Sequence, residues 1–500
     1  MRKVPLFFSY LSFGPFALAL RQVSINNQYN QCIFVTYYRA LTAEEKASEN
    51  AAKRQAQIDA EDLAVANSWI PIDPSKECFL IDQLAPEDQF LTLKHRGVSV
   101  TALKLFTSFI TPNIVDRLLA DFPEDSLVLA VNSRSGNLRH FKLTASIIWQ
   151  SFAVQIRVTG RQQRSTENNP VKRSLSTNVK EAREHFATLK FGTAANRETM
   201  ERVIARCVLT EDYSAEISSN FLNAILSLGQ YVAGDEKLYH FTGDSQNVRL
   251  VISKPDRVGF WFYQLAGRFS NDLPYLLHVF LHNSTIEPVK VASVVGKWVA
   301  SIKSIAGNEK CILAMDSYYM DASVKDMLLN TGIKFTASVK SDRMKSLVRA
   351  VRPVSAGDGT MGEWRGIRNK DSGETFIYHY DTQKGVGVKY NYARGFLRSQ
   401  SAQQIKNHKH RIPVYDYYKT FFEVCDRFNR KLHDRVWPHK RGGRELHGED
   451  GHHHDFLLAC VLQNVRNAYT TARGVSLSDE SFQEFCDLLA DQLFEYAMKL

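Results

Sequence analysis

The sequence predicts an α/β fold with a mixed sheet, preceded by a mainly helical region, and three observations carry that expectation. Residues 248–253 (VRLVIS), 259–266 (GFWFYQLA) and 310–315 (KCILAM) are short apolar, aromatic or β-branched runs bounded by turn residues, the pattern of buried strands. Residues 288–305 carry helical spacing between the second run and the third, and DASVKDMLLNTG, closed by Gly332, leads into a further strand, IKFTASVK. Chains that alternate strand and helix in this way lay the strands in a sheet under helical cover. Upstream, VTALKLFTSFI, IVDRLLADF, NRETMERVIARCV from Asn196 and NFLNAILSLGQYV from Asn220 space their apolar residues as amphipathic helices do.

Composition bounds the remaining segments. With 500 residues, 44% hydrophobic and 23% charged, the chain is globular and long enough for two to four domains. No run reaches the ~18 uninterrupted apolar residues of a membrane-spanning helix, and the excess of Lys and Arg, a net charge of +10, favours a polyanionic partner. The seven cysteines stand apart with no C-x-x-C pair, which excludes a disulfide framework and a cysteine-based zinc site. Met1-Arg2-Lys3 and the apolar residues 6–20 outline a secretory signal peptide, but Pro15 and the aromatic content point to an incidental apolar terminus. Residues 43–65 form a solvated helix with little to bury, residues 69–152 a first folded unit, and residues 160–180 an exposed basic loop.

Candidate chemistry sits downstream. Asp316 ends the KCILAM strand, so its carboxylate projects at a sheet edge, and Glu423 and Asp426 stand three apart on one face of a helix. Divalent metals such as Mg²⁺ take hard oxygen ligands, and two-metal phosphoryl-transfer sites draw carboxylates from separate segments. Acids on helix surfaces are equally the mark of plain solvation. Residues 389–441 hold thirteen Lys or Arg against four Asp or Glu, interleaved with aromatics such as Tyr390, Tyr417 and Trp437, the composition of a nucleic-acid groove. Eight of the fifteen histidines lie between His408 and His454, and HGEDGHHHD, set beside glycines, reads as an exposed loop before the final helix.

These segments resemble, in order, the motifs of the piggyBac family of DNA transposases. Asp235-Glu236-Lys237-Leu238 with Phe241 and Gly243 is similar to the family's D-E-x-(apolar)-x-x-F-x-G segment, and KPDRVG to its entry into a strand. ILAMDSYYMD resembles the segment of the second catalytic aspartate, SVKSDR the strand and turn after it, YYKTFFEVCDRF the helix of the third acid, and NVRNAY the closing helix. The resemblance spans residues 235–469, nearly half the chain. It implies an RNase H-like catalytic domain at 235–470, after an N-terminal arm at 1–66 and a DNA-binding and dimerisation region at 67–234, with a helical tail at 471–500. It further implies cut-and-paste transposition with Mg²⁺ or Mn²⁺ held by Asp316, Glu423 and Asp426 and double-stranded DNA met by Lys419, to which the basic stretch adds Arg427, Arg430 and Lys431 as expected phosphate contacts. A homodimer in the nucleus, with no membrane association, goes with that reading.

Departures from the family pattern qualify the activity. Counted from Gly259, the first catalytic aspartate falls at Gly267, with Asp256 and Asp272 the nearest substitutes. The third acid is Glu423, the paired glycines before it are Phe421-Phe422, and no Cys/His module follows Tyr469. The expected protein is a transposase-derived DNA-binding protein with impaired catalysis. The alternatives are a non-enzymatic DNA-binding protein and an active transposase with a relocated acid. In either case residues 259–266 and 310–315 are expected as paired strands of one sheet, with Asp316 at its carboxyl edge.

Overall fold

The computed structural model describes residues 43–72, 89–97, 99–121, 128–130, 138–140, 143–161, 203–204, 207–241, 245, 247–251, 258–282, 290–339, 345–351, 364–379, 386–390, 413–432, 440–441, 444–445, 448–474 and 481–500. The apolar terminus, the basic loop beyond residue 161, most of NRETMERVIARCV, Asp256 and most of the basic stretch lie outside these residues. Contacts divide the chain into two units, Met1–Leu63 and Ala64–Leu500. Helix α1 (Ala43–Ser68) buries no residue, as its Ala, Glu, Lys and Gln content dictates.

The larger unit opens with β1 (Trp69–Ile72) and β2 (Thr92–Leu93), then two short amphipathic helices, α2 (Ala102–Phe109) and α3 (Pro112–Ala120). Each helix starts where a threonine accepts a backbone N–H: Thr101 from Lys104 at 3.1 Å and Thr111 from Ile114 at 3.3 Å. The hairpin β3 (Val128–Ala130) and β4 (Leu138–His140) precedes α4 (Ala145–Arg161) and α5 (Glu211–Asn223). The helical reading of NFLNAILSLGQYV holds only to Asn223. Ile225–Ser227 is strand β5, paired with β2, and a Cβ on Gly229 would meet the Phe90 backbone at 2.4 Å, an approach that fixes this segment as extended chain.

Next come β6 (Tyr231–His240), β7 (Val248–Leu250), β8 (Val258–Arg268), β9 (Pro274–Leu281), α6 (Val291–Lys303), β10 (Ile312–Met315), α7 (Ala322–Thr331) and β11 (Lys334–Val339). Asp321 caps α7 by accepting from the Val324 N–H at 2.9 Å, and Gly332, at φ +70°, closes it in the left-handed region that favours glycine. Helix α8 (Lys345–Val351), strands β12 (Trp364–Asn369), β13 (Thr375–His379) and β14 (Val386–Tyr390), and α9 (Pro413–Leu432) follow. The small hairpin β15 (Lys440–Arg441) and β16 (Arg444–Glu445) precedes α10 (Gly448–Arg473) and α11 (Ser481–Ala497).

Ten strands form one mixed sheet in the order β1-β12-β13-β14-β11-β10-β6-β8-β7, with β9 also on β8. Strand β10 runs parallel to both β6 and β11, and the other pairings are antiparallel. The strands expected to pair, β8 and β10, share the sheet but do not touch, because β6 lies between them. The Asp-Glu-Lys triplet inside β6 conceals it as a strand.

Both faces are covered, which explains why β9 and β10 read as continuous apolar runs. On one face Trp298 of α6 lies against Gly234 of β6, where a Cβ would come within 2.4 Å of the indole. On the other, Phe456 of α10 stacks on Phe262 of β8 at 3.9 Å, and Phe421 of α9 meets Tyr231 of β6 at 4.7 Å. Helix α4 packs on α11 through Trp149 and Tyr496, 5.5 Å apart, and through the ion pairs of Arg157 with Asp487 and Asp491.

The histidine-rich segment is helix, not loop. His453 and His454 are buried within α10, where the expectation was an exposed insertion. The His454 Nδ1 accepts from the Leu209 N–H at 2.9 Å, which places the ring proton on Nε2, 2.7 Å from Gln155 Oε1. Partners more than 200 positions away satisfy the ring, so its burial has no local signature.

Because the Gly234–Trp298 contact leaves no room for a methyl group, Gly234→Ala is expected to destabilise the protein by about 1–3 kcal/mol, read as a lowered urea midpoint with unchanged slope.

Candidate functional site

Strand alternation sorts the acids of β6 onto two faces. Tyr231, Ala233 and Asp235 point toward α9, as the Tyr231–Phe421 ring contact and the 3.3 Å hydrogen bond from the Cys425 thiol to the Ala233 carbonyl show. Gly234 and Glu236 point toward α6, and there the Tyr319 hydroxyl donates to Glu236 Oε2 at 2.6 Å. Burial, and secondarily Glu236 and Asp235, push the Tyr319 hydroxyl well above the usual phenol range and keep it a neutral donor.

The parallel register then brings two aspartates together. Ala314 of β10 lies opposite Ala233 and Met315 opposite Gly234. Asp316 is the first residue after β10, and the same register carried one residue further would set it beside Asp235, at the ~4.8 Å spacing of adjacent strands. Asp316 also accepts from the Tyr318 N–H, which turns the chain away at the carboxyl edge. Asp235 is only 7% exposed, an uncommon place for an acid without a task.

Helix α9 supplies the rest. Cys425 lies beneath the acids, its thiol pushed well above its ordinary range first by burial and then by Asp235, Asp426 and Glu236. Asp426, next along the helix, is exposed on this flank. Glu423, half-buried three residues before it, accepts from Arg427 Nη2 at 3.5 Å. Arg427 also pairs with Asp272, which takes a second hydrogen bond from Arg268 at 2.8 Å. Asp272, at φ +65° in the β8–β9 turn, is therefore engaged with two arginines and does not stand in for a missing ligand near Asp316. Across β6, Gln264 of β8 is opposite Asp235, fully buried, with no hydrogen-bond partner for either amide atom among the described residues.

Gly267 occupies a different place from the one strand counting gives it. It pairs with Val232, so it faces the side of Gly234, away from Asp235 and α9, and a Cβ there would meet Leu91 at 2.7 Å. A carboxylate at this position would lie on the face away from Asp235. The acid that the β6–β10 register brings nearest to Asp316 is Asp235, inside the Asp235-Glu236-Lys237-Leu238 segment. An acid inside the run YVAGDEKLYH was the available signal, since a charge in a buried strand needs a reason.

The oxygen donors of Asp235, Asp316 and Asp426 suit a hard divalent cation in kind. Among the described residues, however, no three His, Cys, Asp or Glu side chains gather into a ready cluster, and Glu423 is held by Arg427. Of the expected DNA contacts, Arg430 is exposed on α9 and Arg427 is ion-paired, while the side chains of Lys419 and Lys431 lie outside the described residues.

No family model matches this chain, and no curated protein is similar to it. Among solved structures, the piggyBac transposase synaptic complex with hairpin DNA is similar in fold, with a TM-score of 0.62. The match covers 82% of this chain and 84% of that one at 10% identity. The mixed α/β architecture is thus shared with a transposase, and no helix of the described residues is long and apolar enough to cross a membrane.

The facing of Gly267 makes Gly267→Asp a test of the site's layout. It is expected to lower stability through Leu91 and to leave Mg²⁺ affinity unchanged, whereas Asp235→Asn lowers that affinity; calorimetric titration with Mg²⁺ and thermal melts read both effects.

Proposed function

We propose that this chain is a transposase-derived DNA-binding protein of the piggyBac type, and that Asp235 and Asp316 are the carboxylates on which its phosphoryl-transfer chemistry rests. The observation that supports the reading is the parallel register of β6 and β10, whose next residues after Gly234 and Met315 are Asp235 and Asp316, within an architecture similar over most of its length to a transposase in complex with DNA. Double-stranded DNA is the substrate, met by a strongly basic chain whose exposed cations include Arg430. Asp235, Asp316 and Asp426 would hold Mg²⁺ or Mn²⁺, which supplies a nucleophile at neutral pH and neutralises charge developing on the phosphate. Buried Cys425 closes the floor of the site, and the neutral Tyr319 hydroxyl fixes Glu236 on the opposite face, out of the ligand set.

A second reading has its own support. Glu423 engaged with Arg427, and no assembled three-residue cluster among the described residues, favour a DNA-binding protein without strand cleavage. The two readings differ in one assay. Purified protein incubated with Mg²⁺ or Mn²⁺ and DNA carrying varied ends is expected to nick or cleave, with Asp235→Asn and Asp316→Asn each reducing the rate at least about a hundredfold while DNA affinity is retained. Cleavage unaffected by Asp235→Asn would sink the carboxylate assignment. Binding without cleavage, under either metal, would establish the non-enzymatic reading.

A further inference from the structure

A cleft of about 590 Å³ lies on the other side of the sheet from Asp235 and Asp316. His278 of β9 places it, being opposite Leu265, which is opposite Gly234, so the ring faces α6. The cleft is walled by the end of α5, by β5 and by the last turns of α6. Its volume falls within the ~300–1,000 Å³ of small-molecule sites.

The lining has two characters. Leu222, Ile225, Leu226 and Ile305 give an apolar wall, and Leu226 is 53% exposed, an apolar side chain left open to solvent. The polar side carries Lys94, Lys297, Ser219, Asn223, Ser301 and Ser304, the last two with hydroxyls that donate to the Lys297 and Ser301 carbonyls at 3.0 and 2.7 Å. No aspartate or glutamate is among the described residues that line it.

Two contacts organise that polar side. The Lys297 ammonium sits 4.3 Å from the centre of the Phe280 ring, and the His278 Nδ1 is 2.5 Å from Ser301 Oγ. Burial, and then Lys297, push His278 down to about 4, so the ring is neutral at physiological pH and the positive charge of the cleft comes from the two lysines.

We propose that this cleft binds a small phosphorylated molecule with an apolar body, of the size of a nucleoside monophosphate. Two lysines, with no aspartate or glutamate among the described residues of the lining, match a doubly charged anion. The Ser219 hydroxyl and the Asn223 amide add donors of the kind that phosphate oxygens take. The apolar wall takes the body of the ligand. The two lysines are exposed, so replacing them tests binding without disturbing the core.

The experiment is isothermal titration of the full chain with adenosine 5′-monophosphate, adenosine and inorganic phosphate, beside anisotropy with a short DNA duplex. The expected result is saturable binding of the monophosphate, competed by inorganic phosphate, with adenosine at least about tenfold weaker. Lys94→Ala and Lys297→Met should each weaken the monophosphate by about tenfold with unchanged melting temperature. No saturable binding of either phosphate probe, equal affinity for adenosine, or full affinity in both variants would overturn the proposal. Loss of duplex affinity in the variants, with no monophosphate binding, also overturns it and assigns the cleft to a nucleic-acid backbone. Asp235→Asn serves as a control, since the cleft does not depend on the acids across the sheet.

Discussion

The parallel pairing of β6 with β10 is the constraint on which the rest depends. Parallel strands need a crossover, and here that crossover contains β7, β8, β9 and α6 before the chain returns as β10. The return sets which acids the register would bring together. With Met315 opposite Gly234, the following residues are Asp316 and Asp235, and a slip of one residue would send one carboxylate to the far face. The register is held by what packs on each side: Trp298 against Gly234 from α6, and Cys425 bonded to the Ala233 carbonyl from α9. Both anchors sit within two residues of Asp235, so the packing that stabilises the sheet also sets the geometry of the acids.

Local signals carried much of this fold. Residues 259–266 and 334–339 form strands, as do 312–315 of the expected 310–315, α6 and α7 appear where helical spacing and Gly332 put them, and Glu423 and Asp426 share a helix. The misreadings have a common physical origin. Strand β6 was hidden because Asp235, Glu236 and Lys237 lower its apparent hydrophobicity, and only long-range neighbours make those charges tolerable. The helix from Gly448 was hidden because its glycines and histidines suit a loop, while the partners of His454 lie at Leu209 and Gln155. Gly267 was assigned by counting along one strand, which fixes the alternation of faces but not which face packs on α9.

Around the acids the arginines are spent on structure. Arg268 lies 3.9 Å over the Tyr231 ring and 5.3 Å from Phe90, and with Arg427 it holds Asp272 in the β8–β9 turn. This arrangement ties the base of β6 to α9 and draws Glu423 outward. A side chain that moves between Arg427 and the flank of Asp426 needs only rotamer changes, since both acids belong to the same helical turn.

β1 finishes the sheet with four residues, Trp69-Ile70-Pro71-Ile72, paired on one side to β12. Proline is tolerated in a sheet where its missing N–H faces outward, so the outer rim presents a gap in its row of donors. An open sheet edge otherwise templates another strand, and a ten-stranded sheet with a complete rim would be a standing invitation to edge-to-edge aggregation. Pro71 thus withholds one backbone donor at the rim of β1, and with it one hydrogen bond from any strand that would add there.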